Sequence, residues 1–356
     1  MPNAIAMMLV SRERNRYTPI DAEKVQRGVF LTTDAGWLLP QVLRFIADSG
    51  ATVAVDPFVG DWHMLHHVRD AVGMRKLIGY DIDPRHGAKR NDSLVRIPPI
   101  TNGIIITNPP YLANHSAKRK GVWSAVQDYF ASSTRTDLYQ IALDRCLESA
   151  THVVAIVPET FIRSNFPVHR LHHVSIIEDP LFEDTQCPVC VVCFGAQETP
   201  RSKKIIYRNS KHVCTFAKRD QTTLAPTRSV PLTFNDPHGT IALRAVDLTD
   251  PGQPIQFLHR EDIDYAQEDI KESSRLVTFI SVPGVPPRQL GAFISRANEL
   301  LSAYRAICGG VHLSPFKGNT RHGQRRRRLD YNAARAILEQ AAADLGCSPH
   351  IQHFAV

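Results

Sequence analysis

The sequence predicts an α/β protein, built as a doubly wound, mostly parallel sheet followed by a second, smaller mixed α+β unit. Three observations carry that expectation. Short apolar runs alternate with segments of helical apolar spacing over residues 1–200. Near residue 200 the texture changes, and Pro and Gly begin to punctuate shorter strands. The charge divides at the same place: residues 1–200 hold 20 Lys/Arg against 21 Asp/Glu, whereas residues 201–356 hold 22 against 14. The boundary is therefore expected at about 195–205, dividing the chain into 1–200 and 201–356.

The elements follow in order. "GWLLPQVLRFIADSG" has helical spacing and stops at Ser49-Gly50, and "ATVAVDPFVG" is a short strand ending in a turn. "DWHMLHHVRDAVG" reads as a helix, "RKLIGYDIDP" as a strand and "NGIIITNPP" as a β-branched, buried strand. "DLYQIALDRCLESA" is a helix, and "THVVAIVPETF" and "PVCVVCFGA" are strands. In the second half "GTIALRAVDL" and "SRLVTFISV" read as strands, followed by helices over "RQLGAFISRANELLSAYRAI" and "YNAARAILEQAAADLG".

The bulk numbers exclude several classes. Of 356 residues, 43% are hydrophobic and 22% charged, and no apolar run approaches the ~18 residues of a membrane span. "MPNAIAMMLVSRERNRY" is too short and badly flanked for a signal peptide. Seven cysteines without framework spacing fit a reducing cytoplasm. The overall charge of +7, concentrated in the second half, suits a module that faces a polyanion; a merely solvated basic surface explains it equally well.

Two strand ends suggest a cofactor. Asp56-Pro57 closes the first strand, with Gly60 in the turn before a helix, and a second strand ends in Asp81-Ile82-Asp83. A glycine there allows close backbone approach, and an acid on the second strand can accept from ribose hydroxyls. Only one glycine is present, Trp62 stands where a second would be expected, and no basic loop for pyrophosphate is near. A cofactor without phosphates fits better, which favours S-adenosylmethionine over a nicotinamide dinucleotide.

The third strand ends in Asn108-Pro109-Pro110-Tyr111. Two prolines stiffen the backbone and remove N–H donors, so the corner presents carbonyls together with the Asn108 side chain. Paired acceptors suit an NH₂ group, whose lone pair they would direct toward an electrophile. Tyr111 offers a flat face for a planar group. A plain Pro-Pro turn leaving a strand is the competing explanation.

In their order these segments resemble the N6-adenine DNA methyltransferases of bacterial modification systems, in the γ arrangement. That family uses S-adenosylmethionine on a Rossmann-like fold. The resemblance covers about residues 25–195. It implies that Phe30, Thr32 and Thr33 contact the methionine moiety, "DPFVG" and "GYDIDP" form the cofactor site with Asp81 on the ribose, and Asp92 and Ser93-Leu94 meet the adenine of the cofactor. Asn108 would also border the cofactor. Asn108 Oδ1 and the Pro109 carbonyl would hold the amine of a flipped-out base, with Tyr111 and Phe182 sandwiching its ring. It also implies a C-terminal target-recognition domain and double-stranded DNA as substrate. A monomer in a bacterial or phage-infected cell is expected, with any cognate restriction endonuclease acting separately. The same corner serves adenine in RNA or a protein glutamine, and a non-catalytic DNA-binding protein is the alternative of another class.

"LSPFKGNTRHGQRRRRLDY" is the most cationic stretch. Read as a mobile loop, it places Lys317, Asn319, Arg321, Arg325, Arg326, Arg327 and Arg328 as DNA contacts, some of the arginines turning to solvent or Asp330. Cys187, Cys190 and Cys193 read as buried small residues, not metal ligands. His63, His66 and His67 share a helix without completing a ligand set, and His169, His172 and His173 read as surface or helix-end residues.

Overall fold

The computed structural model describes residues 32, 34–182, 186–263 and 277–347. Phe30 and Thr33 lie outside them. Nine strands form the large sheet: β1 Val53–Asp56, β2 Lys76–Asp81, β3 Lys89–Arg90, β4 Gly103–Thr107, β5 His152–Pro158, β6 Leu171–Ile177, β7 Val189–Phe194, β8 Ile205–Arg208 and β9 Lys211–Thr215. Their order is β3-β2-β1-β4-β5-β7-β6-β8-β9. β1 pairs in parallel with both β2 and β4, so the chain winds away from β1 in two directions. A crevice opens where the winding reverses, beyond the carboxyl ends of those strands. β7 runs antiparallel between β5 and β6.

β4, which borders that crevice, is buried along its whole length. Ile104, Ile105 and Ile106 of β4 are fully buried, as strands covered on both faces require. The helix Pro40–Asp48 buries Val42, Phe45 and Ile46, and Leu138–Ser149 buries Leu138, Ile141, Ala142 and Leu143. Asp137 caps the latter by accepting from the Tyr139 N–H, and the same oxygen accepts from Leu112 N–H at 3.1 Å. One carboxylate thus starts a helix and ties down the chain just after Tyr111.

A second core lies in the C-terminal half. β10 Thr233–Phe234, β11 Ile241–Arg244, β12 Gln256–His259 and β13 Val277–Ser281 form an antiparallel sheet in the order β10-β13-β11-β12. Helices Leu290–Ala306 and Tyr331–Asp344 supply Phe293, Leu301, Ile337 and Leu338 to it. β14 Ser314–Asn319 and β15 Arg325–Arg328 make a hairpin. Among the described residues no helix is long and apolar enough to cross a membrane.

Residue 200 is not where the packing changes. β8 and β9 extend the large sheet past it, and Ile206, Cys214 and Phe216 belong to the first core. The polar lead-in "QETPRSKK" is an edge connection, and its composition marks a turn within a unit.

The histidine at 173 also departs from expectation, whereas the neighbouring His172 is exposed as expected. Both lie on β6, and His173 is only 2% exposed, its ring edge-on to Phe45 and Tyr207 at centroid distances of 5.8 and 5.6 Å. Burial, then the neighbouring His172, pulls its imidazole down to about 3. The unfolded chain takes up this proton near pH 6.5 and the folded chain does not, so stability is full above that pH and declines below it. Unfolding free energy should therefore drop by about 2 kcal/mol between pH 7 and pH 5. Denaturant titration of a His173→Gln variant should show a shallower decline.

Candidate active site

A cavity of about 700 Å³ opens at the carboxyl ends of β1, β2 and β4. It brings together Thr32, Asp56, Gly60, Asp81, Ile82, Asp92, Ser93, Leu94 and Asn108 from six separated places in the sequence. Pro57 does not line it. Five carboxylates border it, those of Asp56, Asp61, Asp81, Asp83 and Asp92. Its one guanidinium, Arg85, is bonded to Asp83. Such a lining disfavours phosphate and favours a cationic ligand.

The backbone around the carboxylates is tightly held. Gly60 N–H donates to Asp81 Oδ2 at 3.0 Å, and Asp83 N–H donates to Asp81 Oδ1 at 2.9 Å. Asp56 is 2% exposed and accepts from the Thr107 hydroxyl at 2.5 Å and from Phe58 N–H at 2.9 Å. Burial lifts its carboxyl to about 7, against the lowering effect of those two bonds, and Asp81 adds a further rise. Asp56 therefore changes charge near neutral pH, within the cavity wall.

Trp62 takes the left-handed conformation, φ +66°, at the start of the helix His63–Val72. That backbone is one a glycine adopts freely and other residues enter at a cost of about 1–2 kcal/mol. The side chain is anchored by its indole N–H, which donates to the His86 carbonyl at 2.9 Å. Its ring fills the space over Gly79, where an added Cβ would stand 2.7 Å from it. The indole thus turns away from the cavity and leaves it open.

Asn108 faces this cavity, its amide oriented by two partners. Its Nδ2 donates to Thr32 Oγ1 at 3.0 Å, and its Oδ1 accepts from the Tyr111 hydroxyl. The phenol has one proton for two acceptors, the other being the Ile156 carbonyl at 2.8 Å. Tyr111 is 9% exposed, and burial raises its phenol well above the ordinary range. Phe182 meets it edge to face, with centroids 6.4 Å apart and planes at 68°. A sandwiched base needs parallel rings about 7 Å apart, twice a van der Waals contact. The expected sandwich is therefore not formed in this conformation, because the two rings already pack on each other.

A second tyrosine was not anticipated. Tyr129 donates to Asp92 Oδ2 at 2.8 Å, and burial and that bond raise its phenol to about 12. It comes from residues 114–131, which also bring Val122, Ala125 and Val126 to the cavity. The apolar spacing of 122, 126 and 129 is a faint helical signal, broken into two short turns.

The arginine run is a strand, not a mobile loop. Arg325 and Arg327 are 5% and 3% exposed, which removes both from any surface. Arg327 pairs with the buried Glu159, whose other oxygen lies 3.9 Å from Arg325 Nε. Arg325 also donates to the carbonyls of Ile177 at 3.0 Å and Glu178 at 3.2 Å. Arg326 donates to the Asp247 carbonyl at 2.7 Å and lies over Phe316. Arg328 is half-buried at a bridge to Val246, and Asn319 donates to the Glu178 carbonyl. Asp330 is held by Arg163. Of the seven, Lys317 and Arg321 remain exposed. Cys190 and Cys193 are buried on β7, Cys187 precedes it, and no metal-binding cluster occurs among the described residues.

No protein-family model and no curated protein matches the chain. Among solved structures it is similar to a type I restriction-modification methyltransferase subunit from Streptococcus thermophilus, at 12% identity and a TM-score of 0.36, over 54% of this chain and 51% of that one. It is similar to TrmN from Thermus thermophilus at 16% identity and a TM-score of 0.29, over 45% and 48% of the two chains. The M protein of the type I restriction enzyme EcoKI aligns over 90% of this chain and 70% of its own, at 10% identity and a TM-score of 0.34. The chain spans about half the length of the first two. Likeness at these scores carries no function, and the site stands on its own residues.

Removing the Glu159 charge strands two guanidinium groups in the interior. Glu159→Gln should cost about 3–5 kcal/mol of stability, read from the denaturation midpoint.

Proposed function

We propose that the protein transfers a methyl group from S-adenosylmethionine to the N6 amine of an adenine flipped out of duplex DNA. The observation that supports this reading is the single cavity joining the carboxylates after β1 and β2 to the Asn108 corner after β4. The donor set fits the cofactor: S-adenosylmethionine carries sulfonium and ammonium charges and no phosphate, and the lining is acidic. Asp81 would face the ribose, Asp92, Ser93 and Leu94 the adenine, and Thr32, Asp56 and Gly60 the methionine end. When bound, it supplies an electrophilic methyl group.

The chain's own part is to bind, orient and exclude water. Asn108 Oδ1 and the Pro109 carbonyl accept the two amine hydrogens, which concentrates the nitrogen lone pair toward the donor as charge develops. The Tyr111 hydroxyl now holds Asn108 Oδ1, so entry of the base exchanges one donor for another at that oxygen. The same entry parts Tyr111 from Phe182. On this reading the C-terminal unit recognises the DNA, and the protein acts as a monomer in a bacterial cell, apart from any restriction endonuclease.

Incubation with labelled S-adenosylmethionine and duplex DNA, RNA or protein tests the substrate class. Label recovered as N6-methyladenine in DNA is expected, and label found only in RNA or protein sinks the DNA reading. Asn108→Ala should lower transfer about 100-fold or more while the donor still binds, measured by single turnover and calorimetry. A second outcome concerns pH. The ionised Asp56 favours a cation, so donor affinity should rise from pH 6 to pH 8 through the carboxyl near 7, and Asp56→Asn should flatten that rise.

A further inference from the structure

With Arg325 and Arg327 buried, only Lys317 and Arg321 of that stretch stay exposed, and a grip on a DNA backbone needs further cations. We infer that Lys118, Arg119 and Lys120, with Trp123, form a phosphate-contacting rim beside the mouth of the cavity. This rests on the reading of duplex DNA as substrate.

The placement is set by the fold. The helix Asn114–Arg119 begins three residues after Tyr111, and the segment that follows it enters the cavity wall at Val122. Its Ala117 is fully buried in a small core with Leu112, Phe130 and Leu138, while Lys118, Arg119 and Lys120 are all exposed. The chain before it is fixed by a bridge between Ala113 and Asp137 and by Asn114 N–H, which donates to the Thr136 carbonyl at 2.9 Å. Downstream, Val122, Val126 and Tyr129 line the cavity itself. One side of this segment therefore walls the cavity and the other carries three cations.

Charge argues for the partner. Residues 114–121 contain three Lys/Arg and no acid. Among the described residues neither Lys118 nor Arg119 pairs with a carboxylate. Lys118 lies instead over the Trp123 ring, 4.6 Å from its centroid, and that indole stacks on Phe130 at 5.6 Å and 16°. A neighbouring groove of about 510 Å³ is lined by Asn114, Trp123, Gln127, Ser133 and Thr134, together with the carboxylate of Asp128 and with Arg135, which is paired with Asp144; its amide and hydroxyl groups suit sugar oxygens. The cavity interior is acidic and repels a nucleic acid strand, so a base can be presented there only if its flanking phosphates are neutralised at the rim.

The test is binding of a short mixed-sequence DNA duplex to the full chain, followed by fluorescence anisotropy as salt is raised. Replacing all three residues (Lys118→Gln, Arg119→Gln, Lys120→Gln) should make the dependence of log affinity on log salt shallower by about 2 to 3. Binding of S-adenosylmethionine alone, measured by calorimetry, should be unchanged. Should the triple variant fail to fold, Arg119→Gln alone should reduce the slope by about 1. An unaltered slope overturns the rim while leaving the methyl-transfer reading intact. A wild-type chain that binds no duplex overturns both.

Discussion

The structure depends on how β1 and β4 lie side by side at the point where the sheet reverses its winding. Their registered parallel pairing sets Asp56 and Thr107 at neighbouring strand ends, and the Thr107 hydroxyl closes the gap by donating to the buried Asp56. Everything that converges on the cavity is hung from these two ends. Gly60 and the following helix leave from one, and Asn108 with its two prolines leaves from the other. A shift of register by one residue would send Asp56 to the opposite face and dissolve the site.

Much of this was legible from residues, and the reasons are local. The isoleucine run of β4, the acids closing β1 and β2, and the helical spacing of residues 138–149 each announce themselves without long-range context. β6 did not, because "LHHVSII" sets two histidines in an apolar strand; the burial of His173 is settled by Phe45 and Tyr207, which are remote in sequence. The arginine run misled for the same reason. Its alternate members turn inward to Glu159, a partner that no inspection of residues 314–331 could supply. The Tyr111–Phe182 contact was foreseen as a pair and not as a packed pair.

The electrostatic layout is graded. Carboxylates crowd the interior of the cavity, while cations are found on exposed positions around the segment that walls it. Such an arrangement separates two tasks that would conflict if mixed, holding a small cation and approaching a polyanion. The two phenols bonded to Asn108 and Asp92 add a second feature, since each gives a half-buried acceptor oxygen at the cavity a hydrogen-bond donor.

The alternate arginines of β15 have one last effect, on motion. Arg325 and Arg327 reach from the hairpin into the large sheet, and Arg163 and Arg208 reach back to Asp330, the His312 carbonyl and the Gly309 carbonyl. Hinge closure would have to tear those bonds, and those of Arg325 and Arg327 lie in the dry interior. The two halves therefore behave as one block, and any reshaping needed to seat a nucleobase falls on the nucleic acid and on a few aromatic rings.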